Sequence, residues 1–320
     1  ISKLRKLMAK RNIDAYIVPS SDPHQSEYLA DYYKTRQFIT GFTGSAGTAV
    51  ITTKKSGLWT DGRYFIQAAK ELSVGEVELY KMGVPDSISI EEFLLKEFPN
   101  GVAKIAFDGN NTSVAEYENL MRKLPNFEFI TDVDYIGDIW NEEGRPAKPD
   151  SKVYIFDEKY SGESTSDRIA RLRSMMKERG IDYHFIGSLD DIAYVLNIRA
   201  NDVQCNPVVI SYLLISENTC NLYIDKSKLS QEVADYLKEN NISIKAYEVI
   251  ARDISDIEAK KTLYLETKKT NVAVYSSIGR GVNVVTGLNL TSIMKCHKNE
   301  IEIKNTKNAF VKDGVALVRY

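Results

Sequence analysis

An internal repeat constrains the fold of this chain more than any other feature. Leu4-Arg5 recurs as Leu172-Arg173, and Ile13-Asp14 recurs as Ile181-Asp182, so that both pairs are separated by the same 168 positions. Further pairs at this separation are Met8 with Met176, Arg11 with Arg179, Ser20 with Ser188, and Asp22 with Asp190. A period this long is unlike that of a solenoid, and it predicts two similar domains instead of one large core.

Each copy of the repeat is predicted to begin with a helix and to continue into a strand. Apolar residues at helical spacing give each helix one buried stripe, formed by Leu4, Leu7 and Met8 in the first copy and by Leu172, Met175 and Met176 in the second. Asn12 and Gly180 tolerate left-handed backbone and are predicted to end the helices. Short apolar runs at residues 15–18 and 183–186 then predict strands.

The remaining pattern alternates strands with helices. Ser89 with Glu92 and Ser113 with Glu116 have the spacing of capping boxes, which predicts that two helices begin there. Further strands are predicted at residues 77–82, 104–108, 127–130, 208–215 and 222–224, and further helices at residues 64–72, 230–239 and 249–259. The alternation predicts an α/β fold class, with mixed sheets because one hairpin is antiparallel.

That hairpin follows a glycine-rich segment. Glycines recur at every third position, at Gly41, Gly44 and Gly47, which predicts backbone that bends or is closely approached. β-Branched residues at 48–53 and apolar residues at 58–60 flank a turn and predict the two strands. Asp61-Gly62 then ends the hairpin and places Arg63 at the start of the next helix. An arginine held there could bind a carboxylate or a carbonyl, although such glycines are also typical of a purely structural turn.

Two familiar glycine motifs do not fit this segment. The dinucleotide-binding fingerprint requires G-x-G-x-x-G opening into a helix, whereas a strand is predicted after Gly47. The nucleophile elbow of hydrolases requires a glycine two positions before the serine, and Thr43 stands in that position before Ser45.

Composition excludes other function classes. Lys and Arg number 42 and Asp and Glu number 44, and this net charge of −2 is too balanced for a nucleic-acid-binding surface. No apolar stretch approaches the length of a membrane span. The three cysteines, Cys205, Cys220 and Cys296, show no C-x-x-C pairing and are interpreted as small buried thiols in a reducing cytoplasm.

The histidines and paired carboxylates do not predict a metal site. None of the three histidines forms a helical ligand pair with a carboxylate or a second histidine. His184 is predicted to be a hydrogen-bonded core residue, His297 to be solvated, and His24 to serve either a turn or a functional loop. Adjacent side chains of a helix point apart, so Asp190-Asp191 is interpreted as a helix N-terminus.

Several blocks of sequence resemble Xaa-Pro aminopeptidases (aminopeptidase P) of the three-domain type, within the creatinase/prolidase-like metallopeptidase family. In the first domain they are Pro19-Ser20-Ser21-Asp22-Pro23-His24, Gly41-Phe42-Thr43-Gly44-Ser45-Ala46-Gly47-Thr48 and Trp59-Thr60-Asp61-Gly62-Arg63-Tyr64-Phe65. In the second they are Tyr160-Ser161-Gly162-Glu163-Ser164, Leu189-Asp190-Asp191-Ile192-Ala193 and Asn206-Pro207-Val208. The resemblance covers essentially the whole chain and implies two related creatinase N-terminal-like domains.

The resemblance also implies where the domains end. The expected limits are 1–131 for domain I, 132–150 for a linker without clear periodicity, 151–295 for domain II, and 296–320 for the start of a truncated third domain. Apolar residues at helical spacing, Val311, Val315 and Val318, resemble the opening helix of the family's pita-bread catalytic domain.

The implied activity is release of the first residue from peptides that carry proline second. The family binds two divalent metal ions, typically manganese, through two Asp, one His and two Glu of the third domain. Those motifs do not occur in this chain, so no catalytic or metal-binding residue is assigned, and the 320 residues alone are expected to be inactive. The expected location, from the unpaired cysteines, is the cytoplasm, and a homodimer is an assembly that the resemblance allows.

One substrate-binding residue is implied by the resemblance. The family's counterpart of Arg63 reaches the catalytic mouth and contacts the bound peptide. The alternative for Arg63 is a salt bridge with Asp61 that only fixes the turn. Two other functions also fit this domain order, namely a metal-free binding protein and a prolidase-type Xaa-Pro dipeptidase. The signature at residues 197–207 favours the three-domain aminopeptidase.

Overall fold

The computed structural model describes residues 1–320, which form two compact units. The first unit comprises Ile1–Pro149 and Thr267–Ser276, and the second comprises Asp150–Glu266 and Ser277–Tyr320. Each unit contains one six-stranded mixed sheet flanked by helices, which confirms the predicted fold class. No helix is at once long enough and apolar enough to cross a membrane.

The first sheet places five parallel strands around one antiparallel strand. Its strands are β1 (Ala15–Pro19), β2 (Thr48–Thr52), β3 (Ser56–Thr60), β4 (Glu78–Lys81), β5 (Lys104–Ala106) and β6 (Glu128–Ile130). They lie in the order β4-β3-β2-β1-β5-β6. Because only β2 is antiparallel to its neighbours, the carboxyl ends of the other five strands meet at one edge of the sheet.

Six helices flank this sheet. They are α1 (Ser2–Lys10), α2 (Thr35–Thr40), α3 (Phe65–Glu71), α4 (Ile90–Glu97), α5 (Val114–Lys123) and α6 (Tyr135–Glu142). One apolar core, on one face of the sheet, contains Leu4, Met8 and Phe42. The alternate residues of the strands face a second core, which contains Trp59, Phe93 and Phe107. These side chains are at most 2% exposed, so both layers are dry.

The second unit repeats this plan. Its strands are β7 (Tyr154–Ile155), β8 (Tyr183–Ile186), β9 (Ile198–Arg199), β10 (Ser211–Ser216), β11 (Cys220–Ile224), β12 (Ser243–Lys245), β13 (Thr262–Leu265) and β14 (Asn283–Thr286). The six-stranded sheet has the order β12-β11-β10-β8-β13-β14, while β7 and β9 form a separate pair. With β8 in the place of β1, the strand order is the same as in the first unit.

The second half of the chain contributes eight helices. They are α7 (Glu158–Ser161), α8 (Thr165–Glu178), α9 (Leu189–Leu196), α10 (Gln231–Glu239), α11 (Ile250–Ser255), α12 (Val272–Ser276), α13 (Leu290–Lys295) and α14 (Glu300–Arg319). Among them α12 belongs to the first unit. Helices α8, α9, α10 and α13 pack on the core of the second unit, which contains Leu172, Leu213 and Leu222.

Hydrogen bonds at equivalent positions show that the repeat is structural. The carboxylate of Asp14 accepts the backbone N–H of Lys104, and the carboxylate of Asp182 accepts that of Thr262, both at 2.8 Å. In each unit this bond fixes the first strand of the repeat beside its parallel neighbour. The 168-residue repeat therefore reflects one fold used twice.

Several local predictions are confirmed. Asn12 and Gly180 follow the first helix of each copy with φ of 53° and 63°. Ser89 and Ser113 cap α4 and α5 with complete capping boxes. The hairpin after the glycine-rich segment forms as predicted, since β2 and β3 pair antiparallel.

Other predictions are wrong or incomplete. Of the three cysteines predicted to be buried, only Cys220 is buried, whereas Cys205 and Cys296 are exposed. The linker expected at 132–150 contains α6, because Ile136 and Ile139 are buried in the first core. Residues expected at 249–259 form only the short helix α11 after a 3₁₀ turn. The expected domain limits also assign residues 267–276 to domain II, whereas their backbone bonds to residues 109–115 place them in the first unit.

Candidate functional site

The glycine-rich segment and the residues after β3 meet at the carboxyl edge of the first sheet. Pro19 at the end of β1 lies opposite Thr48 at the start of β2, and Thr48 lies opposite Trp59 near the end of β3. Thr60 donates its hydroxyl to the carbonyl of Ala46 at 2.7 Å. The loop before β2 is thereby tied to the strand that leads into Arg63.

A buried arginine organises the same loop. The guanidinium of Arg36 donates to the carbonyl oxygens of Phe42 and Gly44 and, at 2.9 Å, to the hydroxyl of Ser20. Ser20 in turn donates to the carbonyl of Gly47 at 2.7 Å. Burial lowers the pKa of Arg36 to about 10, which still leaves the group charged at neutral pH.

Two of the glycines are required because neighbouring atoms lie too close to them to leave room for a side chain. A Cβ atom at Gly44 would lie 2.2 Å from the Phe42 ring and 2.7 Å from the Tyr64 ring. At Gly47 it would lie 2.9 Å from the carbonyl oxygen of Trp59, with φ at +155°. Both positions therefore exclude any larger residue, and the loop packs tightly against β3 and α3.

Replacing Arg36 with methionine is expected to lower the free energy of unfolding by about 2 kcal/mol, because buried carbonyls would lose charged donors. Urea unfolding of the two proteins measures this difference. Arg11→Met is the matched control, since Arg11 is 44% exposed and pairs with the exposed Asp132. A loss of stability no larger than that of the control would contradict the role assigned to Arg36.

Arg63 lies at the surface and is held by the preceding turn. Its Nε and Nη2 atoms lie 2.9 Å and 2.8 Å from the two carboxylate oxygens of Asp61. The same carboxylate accepts the backbone N–H of Arg63 at 3.1 Å. The hydrogen bonds from Arg63 lower the pKa of Asp61 to about 2, so the pair stays ionised at neutral pH. The side chain of Arg63 is nevertheless 69% exposed.

Aromatic and hydroxyl groups surround this arginine. The guanidinium carbon of Arg63 lies 5.2 Å from the centre of the Tyr64 ring. The hydroxyl of Tyr64 lies 2.6 Å from that of Ser45 in the glycine-rich loop. The site thus combines a fixed cation with neighbouring hydroxyl groups, an arrangement suited to a carbonyl or a carboxylate.

The predicted salt bridge of Arg63 with Asp61 is present, and it is compatible with a binding role. The pair occupies the Nε and Nη2 atoms, while a guanidinium carries five N–H donors. Asp61 therefore orients the arginine without consuming all of its donors.

The loop that contains His24 is a structured turn. The carboxylate of Asp22 accepts the backbone N–H groups of His24 and Ser26 at 2.9 Å and 3.1 Å. His24 is 1% exposed. Two side chains of the segment 267–276 also bind this loop. Lys269 and Asn271 each donate to one of its backbone carbonyls at 2.8 Å. Of the two interpretations left open for His24, the turn has structural support.

The other polar residues considered from the sequence lie in the second unit. His184 is completely buried, and its Nε2 atom lies 3.4 Å from Oδ1 of Asn289, as expected of a core residue. His297 is exposed. Asp190 does lie in the first turn of α9, but the prediction that the adjacent carboxylates diverge is wrong, because Lys295 pairs with both Asp190 and Asp191.

Nothing in residues 1–320 fits a metal centre. No group of three or more His, Cys, Asp or Glu side chains is placed to hold a metal ion. Two features of the site were missed from the sequence, namely the loop-binding role of Arg36 and the attachment of residues 267–276. Four of the six residues of α2 are polar, so the sequence carried no clear signal that Arg36 would be buried.

Comparison with known proteins agrees with this architecture. Residues 1–136 and residues 144–302 each match the Creatinase/Prolidase N-terminal domain. The chain belongs to the creatinase/prolidase N-terminal domain family. The family resemblance found in the sequence is thereby confirmed, with one copy of the domain in each half of the chain.

Related proteins match this chain over its whole length. Probable Xaa-Pro aminopeptidases P of Neurospora crassa and Talaromyces stipitatus are 34% and 37% identical to it over 100% of the chain. The chain covers 48% and 50% of those two proteins. It therefore spans about half the length of the curated relatives that it matches.

A solved structure shares the fold of this family member. It is the X-prolyl aminopeptidase from Caenorhabditis elegans, described as a cytosolic enzyme with a di-nuclear active site. The two are 32% identical with a TM-score of 0.90, and the match covers 96% of this chain and 51% of the other.

Proposed function

We propose that this chain is the non-catalytic, substrate-contacting region of a metal-dependent Xaa-Pro aminopeptidase that acts in the cytoplasm. The enzyme would release the first residue from peptides that carry proline second. Support comes from the relatives, which match the chain over its full length and are themselves about twice as long.

The observation that carries a role in substrate contact is the geometry of Arg63. Its guanidinium is fixed by a forked pair with Asp61, yet 69% of its side chain is exposed at the carboxyl edge of the sheet. An exposed arginine of this kind contributes little to stability. We therefore assign Arg63 to a carbonyl or carboxylate group of the bound peptide.

The chemistry itself belongs outside these residues. We infer that two divalent metal ions, manganese in this proposal, bind in the half of the enzyme that the relatives have and this chain lacks. When bound, such ions activate water and polarise the scissile carbonyl. This chain would contribute binding and orientation of the peptide.

The last helix gives independent support. No residue of α14 is buried, and Phe310, Leu317 and Val318 are each at least 69% exposed. A row of exposed apolar side chains is typical of a surface that another domain or protein covers. We propose that the half of the enzyme outside these 320 residues covers this surface of α14.

Arg63→Ala in the full-length enzyme is expected to lower kcat/KM on an Xaa-Pro peptide by about 10- to 100-fold, because a charge-assisted hydrogen bond to substrate is lost. The free energy of unfolding should change by less than about 1 kcal/mol. Steady-state kinetics and urea unfolding of the same preparations measure the two quantities.

Arg11→Ala is the matched control for Arg63→Ala. Arg11 is also an exposed arginine of the first unit that pairs with one aspartate, but it lies at the end of α1. We expect the control to retain the kinetics of the parent enzyme. Equal kcat/KM values for both variants and the parent would refute the assignment of Arg63.

A further inference from the structure

The first unit contains a cavity of about 430 Å³. It lies between α4, α5 and the face of the sheet, and its floor is formed by Ile17, Trp59 and Phe107, each at most 7% exposed. Its volume is in the range of sites for small organic molecules, and its walls are mainly apolar, as such sites usually are.

The position of the cavity is that of a ligand site in open α/β sheets. From β1 the chain builds β2, β3 and β4 on one side, and then returns to place β5 on the other side of β1. The cavity is lined by Pro19, at the carboxyl end of β1, and by Phe107, directly after β5. Ligands of such sheets bind at the carboxyl ends of strands where the strand order reverses.

The charged residues at the cavity are mostly acidic. Three carboxylates line it, from Glu91, Glu92 and Glu116, against the single ammonium group of Lys123. Lys123 lies 3.1 Å from the carboxylate of Glu91, so its charge is already paired. Glu92 and Glu116 accept hydrogen bonds in the capping boxes of α4 and α5, but these neutral donors do not cancel their charge. The remaining excess of negative charge complements a cation and repels an anion.

We propose that this cavity binds a small apolar amine, with an aliphatic or aromatic body against Trp59 and Phe107 and one ammonium group directed to the acidic rim. The proposal concerns only the first unit, and it depends neither on Arg63 nor on peptidase activity. The class of ligand follows from an apolar floor, a rim with three carboxylates, and a volume that excludes a larger polypeptide segment.

The indole of Trp59 provides a direct signal for binding. Its Nε1–H donates to the carbonyl of Ile88 at 2.8 Å, which ties the ring to the segment that precedes α4 and borders the cavity. The chain has two tryptophans, Trp59 and Trp140. A Trp140→Phe background therefore leaves the fluorescence of Trp59 alone.

Two probes of similar shape and opposite charge test the proposal on the 320-residue chain. We expect 2-phenylethylammonium to change the fluorescence of Trp59 saturably at neutral pH. The anion 3-phenylpropionate should bind at least about tenfold more weakly, because like charges at a partly desolvated rim disfavour it. Equal responses to both probes, or no saturable response to the ammonium compound, would overturn the proposal.

A pair of variants at one position locates the bound probe. Asn119 lines the cavity and donates to Glu91 at 2.8 Å, so Asn119→Ala removes that bond but leaves the space open, whereas Asn119→Phe fills it. We expect the ammonium probe to bind Asn119→Ala and not Asn119→Phe. Ser87→Phe, introduced from the exposed rim, is a second blocking variant that leaves the core unchanged. Undiminished binding to either blocking variant would place the probe elsewhere and refute the site.

Discussion

Arg168→Met is expected to lower the free energy of unfolding by about 3–5 kcal/mol, the largest effect of any substitution considered for this chain. Arg168 lies on α8 in the second unit and is 1% exposed. Its loss would leave Glu302 without this counterion and Glu163 with only the more exposed Arg171, although both carboxylates are at most 22% exposed. Removing one partner of a buried ion pair is costly because the other partner stays desolvated.

The guanidinium of Arg168 also connects several backbone segments. It donates to the carbonyl of Tyr194 at 2.5 Å, to the side-chain oxygen of Asn197 at 2.9 Å and to the carbonyl of Ser161 at 3.1 Å. These atoms lie at the end of α9, in its left-handed cap and at the end of α7. Methionine can fill much of the volume but can replace none of these bonds.

Arg171→Met is the control for Arg168→Met, since it lies one turn further along the same helix and shares the partner Glu163. Arg171 is 39% exposed, so its substitution should cost about 1 kcal/mol or less. Urea unfolding followed by circular dichroism measures both variants. Equal losses for Arg168→Met and Arg171→Met would show that the buried network does not stabilise the second unit as described.

Stability of the second unit is expected to fall at acid pH because of His184. Burial lowers the pKa of His184 to about 4. Its Nδ1 atom has no hydrogen-bond partner, and the ring packs edge-on against Tyr264. The folded state therefore favours the neutral imidazole, whereas the unfolded chain binds a proton near pH 6.5.

The direction of this effect follows from proton linkage. Above pH 6.5 both states are neutral and the contribution of His184 is complete. As the pH falls from 6.5 towards 4, only the unfolded state gains the proton, and stability is lost. The difference between the two pKa values corresponds to about 3 kcal/mol.

His184→Gln isolates this contribution, because glutamine stays neutral throughout the range. The stability of the parent chain minus that of the variant should decrease by about 3 kcal/mol between pH 7 and pH 4. Urea unfolding at fixed ionic strength measures it. A difference that does not change with pH would contradict the assignment of a buried neutral imidazole.

Asp108 in the first unit titrates over a similar range with the opposite sign. Burial and the neighbouring Asp134 raise the pKa of Asp108 to about 7. The folded state therefore binds the proton more readily than the unfolded state, and this group adds stability as the pH falls. The unsubstituted chain alone would thus conceal the effect of His184, which makes the difference measurement necessary.

Local signals explain what could be predicted from the sequence. The capping boxes at Ser89 and Ser113 and the helix ends at Asn12 and Gly180 depend on neighbouring residues, and all four are found. The repeat of one helix and one strand was visible for the same reason, because each copy carries its own apolar pattern.

Features that depend on distant parts of the chain were not predicted. Arg36 is buried because carbonyl groups of a later loop surround it, and nothing beside it in the sequence specifies that partner. The strands β12, β13 and β14 were also not predicted, although they are no shorter than β5 and β6. Residues 267–276 join the first unit through backbone hydrogen bonds and through Lys269 and Asn271, whose partners lie 244 and 248 positions earlier in the chain.

The central proposal is that this chain contacts the substrate and that the rest of the enzyme carries out the chemistry. Its most direct test is release of the first residue from a peptide that carries proline second. The full-length protein and the 320-residue chain should be assayed side by side with manganese and with a chelator. We expect release only by the full-length protein, and only with metal. Release by the 320-residue chain, or none by the full-length protein with metal present, would contradict the proposal.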